Sequence, residues 1–407
     1  MTRPWIALIE SNTSGTGRLF ARAAAEDGYQ PVLLAEQPQR YGFPEQDCVP
    51  CVRCCTGSIA SVCEALDQLA REAPLAGIFS SSEYFIETAA SCAARYGLSA
   101  ADPAMLRACR NKWTQRQYLQ RHGLLVPRFE CVASPQAAGE ALARIPLPVI
   151  LKPTTGSGSV GVKLCRTAGE VAEHTALLLG RGVNERGIPV PAEMLIEEYL
   201  VGPEYSVEMF GDSVVGITRK HVSREPYFVE LGHDFPACLP PETEESIAEA
   251  AAQALQSLGL NWGPAHVELR VTLKGPAIVE INPRLAGGFI PEILRLAFGV
   301  DVIRETIRLV VGGTPDLRAR RNSHASIRFL VPSGDGTITG TQGIAEARKV
   351  PGVVDIQMYR KTGDRVKIEN DFRDRIGHVI SLAEQEKEAV QSAEAALRKI
   401  KIQVGAG

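Results

Sequence analysis

Short apolar runs alternate with amphipathic stretches through the first hundred residues. Residues 5–10 read as a buried strand, 18–26 as a helix, 32–35 as a second strand, 58–72 as a helix and 77–79 as a third strand. Strands separated by helices and short turns predict a parallel α/β sheet. Pro103 opens a helix at a first-turn position, continuing over 104–122 to a stop at Gly123. After a stretch punctuated by Pro127, Pro135, Pro146 and Pro148, strands are predicted at 149–153, 194–196 and 204–208. Two more fall at 266–270 and 279–282, around a turn at Lys274-Gly275-Pro276. Helices follow at 290–298 and 302–311, then the loop Gly312-Gly313-Thr314-Pro315. The tail reads as strands and a final helix over 382–400. No tandem repeat or low-complexity segment interrupts this pattern.

Size and charge narrow the class. The 407 residues suffice for two or three domains. A net charge of −3 offers no electrostatic case for nucleic acid or a membrane surface. No segment approaches the roughly 18 uninterrupted apolar residues of a membrane helix. The opening segment turns polar too soon for a secretory signal, so the cytoplasm is the expected location. Ten cysteines are then reduced thiols. Cys48, Cys51, Cys54 and Cys55 have a spacing that permits a metal or iron–sulfur site. With no second Cys/His cluster at zinc-finger distance, free thiols are the better reading. The turn Ser14-Gly15-Thr16-Gly17 lacks the third glycine of a dinucleotide fingerprint, since position 20 is Phe20, and Glu36 fits a ribose acid poorly. It reads as a tight strand-to-helix turn, able at most to touch an anionic group.

The chemistry concentrates later. Val279-Glu280-Ile281-Asn282-Pro283-Arg284 follows His266-Val267-Glu268-Leu269-Arg270 across the predicted turn. Adjacent strands bring Glu268, Glu280 and Asn282 together, and residues two apart share a face. Two carboxylates and an amide oxygen suit Mg2+, which retains open positions for nucleotide phosphates. Arg284 shares that face and can stabilise a transferring group, while Arg270 can face the metal beside Glu268. Upstream, the strand ending in Lys152 runs into Thr154-Thr155-Gly156-Ser157-Gly158-Ser159-Val160-Gly161. This is no P-loop, because no Gly-Lys-Ser/Thr closes it. Its small residues nevertheless leave backbone N–H groups free to cover phosphates, with Lys152 as a point charge. The segment Glu197-Glu198-Tyr199-Leu200 is a linker that can present backbone groups to an adenine edge. Glu197 can accept from the exocyclic amine, and Glu204 can hold ribose hydroxyls. The basic run Arg219-Lys220-His221 fits either a polyphosphate contact or a solvated face. Each piece alone also fits a solvated turn.

In this order the pieces resemble the ATP-grasp family over about residues 1–310, with weaker support to the C-terminus. The resemblance implies an α/β fold: an N-terminal Rossmann-like pre-ATP-grasp domain over 1–105 and an ATP-grasp domain over 106–315 with a mobile small lobe at about 125–203. A C-terminal α+β region over 316–407 completes the ligase core. It implies that Lys112, Lys152, Ser157, Gly158, Ser159 and Val160 contact the phosphates of ATP, and that Glu197, Glu198, Tyr199 and Leu200 border adenine. Glu204 then holds ribose, while Glu268, Glu280 and Asn282 bind Mg2+, with Mn2+ as a substitute. Arg284 steadies an acyl phosphate.

Within the family the chain looks like the L-amino acid ligases that make dipeptides. Phe228-Val229-Glu230-Leu231-Gly232-His233-Asp234-Phe235-Pro236 and Asn282-Pro283-Arg284-Leu285-Ala286-Gly287-Gly288 carry that resemblance. Glu230 is expected to accept from a substrate ammonium. His233, placed on a loop, reads either as a contact that shuttles the amine proton or as a satisfied surface histidine. Arg284 with the N–H groups of Gly287 and Gly288 can grip a carboxylate or acyl-phosphate oxygen, and Gly288 suggests a roomy pocket. The expected reaction joins a small-molecule carboxylate to an amine, at least one of them an amino acid, releasing ADP and phosphate. The expected assembly is a homodimer. A bicarbonate-activating or purine-pathway relative and a non-catalytic nucleotide binder are the alternatives. The chain has no Ala-Met-Lys-Met biotin-attachment sequence and no second grasp copy, which weakens the carboxylase version. The intact Glu268, Glu280, Asn282 and Arg284 argue against the sensor.

Overall fold

The computed structural model describes residues 2–12, 17–184 and 186–405. The turn at Ser14-Gly15-Thr16 lies outside them. The strands Cys51–Arg53, Gln30–Ala35, Trp5–Ile9 and Leu75–Phe79 pair in that order as an all-parallel sheet. Its inner strands are apolar from Trp5 to Ile9 and from Pro31 to Ala35 because helices cover both faces. One face packs on Ile59–Glu72 and Ile86–Arg95. The other packs on Gly17–Glu26 and on the distant helix Val302–Val310, through Ile303 and Ile307.

The predicted helix over 104–122 is two helices, Pro103–Arg110 and Lys112–Arg121. Asn111 is extended (φ −95°, ψ 113°), and its side chain accepts from Thr114 N, so it caps the second helix. Lys112 thereby becomes a first-turn residue aimed away from the helix axis of its predecessor.

A four-stranded antiparallel sheet follows, ordered Phe129–Val132, Met194–Glu198, Val149–Pro153, Lys163–Cys165. The helices Pro135–Ala141 and Ala168–Leu179 contribute to its core. A capping box of Thr167 and Glu170 starts the second helix. The largest sheet has eight antiparallel strands. They run Gly275–Asn282, Pro264–Thr272, Glu204–Phe210, Ser213–Val222, Glu230–Phe235, His324–Leu330, Gly377–Ala383 and Val353–Met358. Helix Pro241–Ser257 shares its core with the first three strands, and Ile290–Phe298 packs near its middle. The tail closes with a three-stranded sheet and the helix Glu386–Lys399. Leu382, expected to begin that helix, instead ends the Gly377–Ala383 strand, whose Val379-Ile380 run is buried between neighbours. Among the described residues no helix is long and apolar enough to cross a membrane.

Candidate active site

The cleft lies between the small four-stranded sheet and the face of the eight-stranded one. Lys112, Lys152, Glu197, Glu204, Glu268 and Glu280 all line it. The Gly/Ser loop forms its roof. Gly156, Gly158, Ser159 and Gly161 all have positive φ, a backbone that larger side chains resist. The loop is held from several sides. Lys112 donates through its backbone N to Thr154 O at 2.7 Å and through Nζ to Gly156 O at 2.5 Å. Ser159 Oγ donates to Phe228 O at 2.9 Å, and Phe372 N to Gly158 O at 3.2 Å. Ser157 and Val160 line the cleft beside them.

Glu197 turns its carboxylate inward. It is buried, 2.8 Å from Arg116 Nε and 2.5 Å from Lys152 Nζ. Burial works against its charge, but Arg116 and Lys152 hold the carboxyl below its usual range. One carboxylate shared between two cations leaves Lys152 short of counter-charge. Burial, with Arg116 adding repulsion, pushes the Lys152 ammonium down to about 8. The Glu197 carboxylate is thus engaged by Arg116 and Lys152. Glu198, Tyr199 and Leu200 continue as the hinge, where Glu198 pairs with Arg128 and Tyr199 donates to Glu225. Arg270 shares the face of Glu268, as expected, but its guanidinium does not turn to the metal-type group. It reaches Glu204 at 2.9 Å and Leu200 O at 2.9 Å.

Glu268 and Glu280 are direct cross-strand partners, and Asn282 pairs with His266 in the same ladder. Side chains so paired approach to about 5 Å at Cβ. Lys112 Nζ lies 3.0 Å from Glu280. Glu268 meets Lys220 at 2.9 Å and His266 at 3.1 Å, and His266 in turn meets Glu208 at 3.1 Å. Burial disfavours the imidazolium, but Glu208 and Glu268 outweigh it and push His266 up to about 10. Among the described residues no group of three or more His, Cys, Asp or Glu side chains could hold a metal alone. The donor set, two carboxylates and an amide, nevertheless fits Mg2+, which is commonly held by one or two carboxylates together with substrate phosphates.

Lys220 is the unforeseen centre of the cleft. It is buried and meets Glu204, Glu230 and Glu268 at 2.9, 3.0 and 2.9 Å. These carboxylates raise its pKa well above the ordinary value against the effect of burial. Lys220 is thus no part of a solvated face and could serve a polyphosphate only by exchanging partners, while Arg219 and His221 on either side are half-buried.

Arg284 pairs with Glu83 at 2.5 Å and donates to Leu285 O at 2.9 Å. Glu230 is held by Lys220 and by Arg375. His233 lies on the Glu230–Phe235 strand, not on a loop, and is wholly buried. Burial pushes it down to about 3, so it is neutral, and neither ring nitrogen has a hydrogen-bond partner among the described residues. Gly288 does not widen the site: a Cβ there would stand 2.6 Å from His233 Nε2. Gly287, beside it, has open space.

Glu83, Arg116, His266 and Arg375 escaped sequence reading. Glu83 alone left a signal. It follows Ser80-Ser81-Ser82 at the carboxyl end of a parallel strand, where open α/β sheets hold ligands.

An ATP-grasp domain model matches residues 145–292, and a model of L-amino acid ligase C-terminal domain 2 matches 328–405. The chain is 36% identical over 381 residues to uncharacterized protein y4rH of Sinorhizobium fredii (strain NBRC 101917 / NGR234), covering 94% of this chain and 79% of that one. It is 30% identical over 268 residues to carnosine synthase 1 of Homo sapiens, covering 62% of this chain but only 32% of that protein. The fold is similar to the crystal structure of L-amino acid ligase from Bacillus licheniformis, with a TM-score of 0.83, 20% identity and both chains fully covered.

Proposed function

Because the chain belongs to the ATP-grasp L-amino acid ligase family, we propose that it joins a carboxylate to an amine, at least one from an amino acid, at the expense of ATP. What carries this reading is the pairing of Glu268 with Glu280 beside Lys112 and beneath the pinned Gly/Ser loop. That grouping places a carboxylate pair, an ammonium and free backbone donors at one end of the cleft, the requirement for phosphoryl transfer.

In this reading a substrate carboxylate oxygen attacks the γ-phosphorus and ADP leaves. The amine nitrogen then attacks the acyl carbon, phosphate leaves, and the amine gives up a proton. Glu268, Glu280 and Asn282 would hold Mg2+, whose chemistry is to neutralise phosphate charge. Lys112 and Lys152 turn from their carboxylates to phosphates. The loop 154–162 excludes water from the acyl phosphate. Hinge backbone from Glu198 to Leu200 serves adenine, and Glu204 serves ribose. Arg284 steadies charge at the acyl centre, and Glu230 with His233 borders the amino-acid pocket. A neutral His233 fits a proton acceptor or a substrate hydrogen bond better than a fixed cation.

The test is ATP turnover with Mg2+ against amino acids singly and in pairs, reading ADP, AMP and phosphate. Amino-acid-dependent release of ADP and phosphate is expected. Turnover driven by bicarbonate, or ATP binding with no turnover under any pair, would overturn the reading.

A further inference from the structure

Beyond Glu230 the amino-acid end of the site is walled by Arg375, which precedes the Gly377–Ala383 strand and whose side chain is 10% exposed. One edge of its guanidinium is committed. Nε donates to Glu230 O at 3.1 Å, and Nη2 donates to the Glu230 carboxylate. The plane is steadied by Phe329, whose ring centroid is 4.3 Å from Cζ. Nη1 makes no hydrogen bond to any described residue. It faces Gly288, where a Cβ would stand 3.4 Å away. His233 Nε2 faces the same glycine, and Glu230 at 3.8 Å is too far to bond it. A buried imidazole with both nitrogens unpartnered among the described residues is costly and requires an explanation, which a bound group would supply. Both nitrogens therefore border the same glycine, and a carboxylate oxygen reaching them would satisfy an unpartnered nitrogen of each side chain.

The chemistry of amide formation selects which oxygen. The carboxylate that is activated loses its charge on phosphorylation, so a buried guanidinium holding it would lose its partner in mid-reaction. The carboxylate of an amino acid that supplies the amine keeps its charge from binding to release. A permanent, desolvated cation matches only the second group. Arg284, by contrast, is tied to Glu83, which also interacts with Lys112 and Ser157 on the phosphate side.

We propose that Arg375, with His233 as second partner, anchors the carboxylate of the amine-donating amino acid and so determines that the nucleophile is a free amino acid. This rests on the ligase reading above.

The test compares wild type, R375K and R375M. The probes are common L-amino acids and their carboxamides as amine donors, with the amide product quantified. Wild type should prefer the free acid by about tenfold or more in kcat/KM, the range of a charge-assisted contact. R375M should lose that preference, through KM for the amine donor rather than KM for ATP, and R375K should retain part of it. An unchanged preference in R375M, equal rises in both KM values, or no preference in wild type would overturn the assignment alone. Should R375M show no cooperative melt, R375K decides, and a wild-type preference there overturns the assignment. Absence of amino-acid-dependent ADP release in wild type would overturn the ligase reading with it.

Discussion

If Lys152 meets the nucleotide as proposed, its pKa makes nucleotide affinity a function of pH. The ammonium is buried and shares Glu197 with Arg116, which sets it near 8, against 10.5 for an ordinary lysine. A triphosphate brings the counter-charge that Glu197 alone does not supply, and so returns the pKa above the measured range. Affinity then belongs to the protonated form. It is full below pH 8 and falls about tenfold for each unit above it, so binding at pH 9 should be about 10-fold weaker than at pH 7. The nucleotide itself has finished titrating there, since a terminal phosphate has a second pKa of about 6. Binding at pH 8.5 should draw in about three quarters of a proton. Titration calorimetry with a non-hydrolysable ATP analogue, repeated in buffers of different ionisation enthalpy, reads both quantities. K152R supplies the control, because arginine stays charged throughout. Its affinity can differ by a constant factor, but its slope between pH 7.5 and 9.5 should be flat. A flat wild-type profile without proton uptake, or the same slope in K152R, would refute the reasoning.

Three further outcomes are expected. Glu280→Ala and Arg284→Ala should each cut ADP release by about 100-fold or more; each also strips a buried charge, Lys112 or Glu83, of its partner, so the melting temperature should fall while the transition stays cooperative, and wild-type turnover in both would remove them from the chemistry. Gly288→Ala meets both a positive φ of 59° and the 2.6 Å approach to His233. It should cost about 1–3 kcal/mol in denaturant unfolding, and an unchanged midpoint would show that His233 yields freely. His266 has its folded pKa raised to about 10 from an ordinary 6.5. The stability it contributes is therefore complete below pH 6.5 and is lost as pH climbs through 10. H266Q should be insensitive to that climb, and parallel pH profiles for the two proteins would contradict the Glu208–His266–Glu268 arrangement.

What the sequence made legible is what is local. The apolar runs around Lys152 and Glu268 are strands because their side chains alternate or are buried on both faces, and that alternation is visible in a linear chain. The Glu280-x-Asn282-x-Arg284 face follows from the same period of two. The break at Asn111 was also local, an asparagine three residues ahead of the Thr114 amide, but strong helix formers on both sides masked it. Leu382 was misplaced because a short apolar run has no period of its own to separate strand from helix. The partners that set the charge of the site have no local signal. Glu83 reaches Arg284 across 201 residues, and Arg375 reaches Glu230 across 145. Nothing in the neighbourhood of Arg375 distinguishes it from the exposed arginines of the same tail.

These distant partners also account for how so many buried charges coexist. Glu204 is matched by Lys220 and Arg270, Glu268 by Lys220 and His266, and Glu280 by Lys112. A buried carboxylate without such a match would either take up a proton or cost several kcal/mol. Binding a magnesium nucleotide then becomes an exchange of partners. In the proposed site Glu268 and Glu280 would hold the metal, whose charge would replace that of the cations now beside them, while Lys112 and Lys152 would turn to the phosphates. Lys220 is the exception. Under the proposed roles its three carboxylates would serve the ribose, the metal and the amino acid, so an ion at Glu268 would weaken its hold there and strengthen its share at Glu230 and Glu204. One ammonium would then couple these groups without any movement of the sheet that carries them.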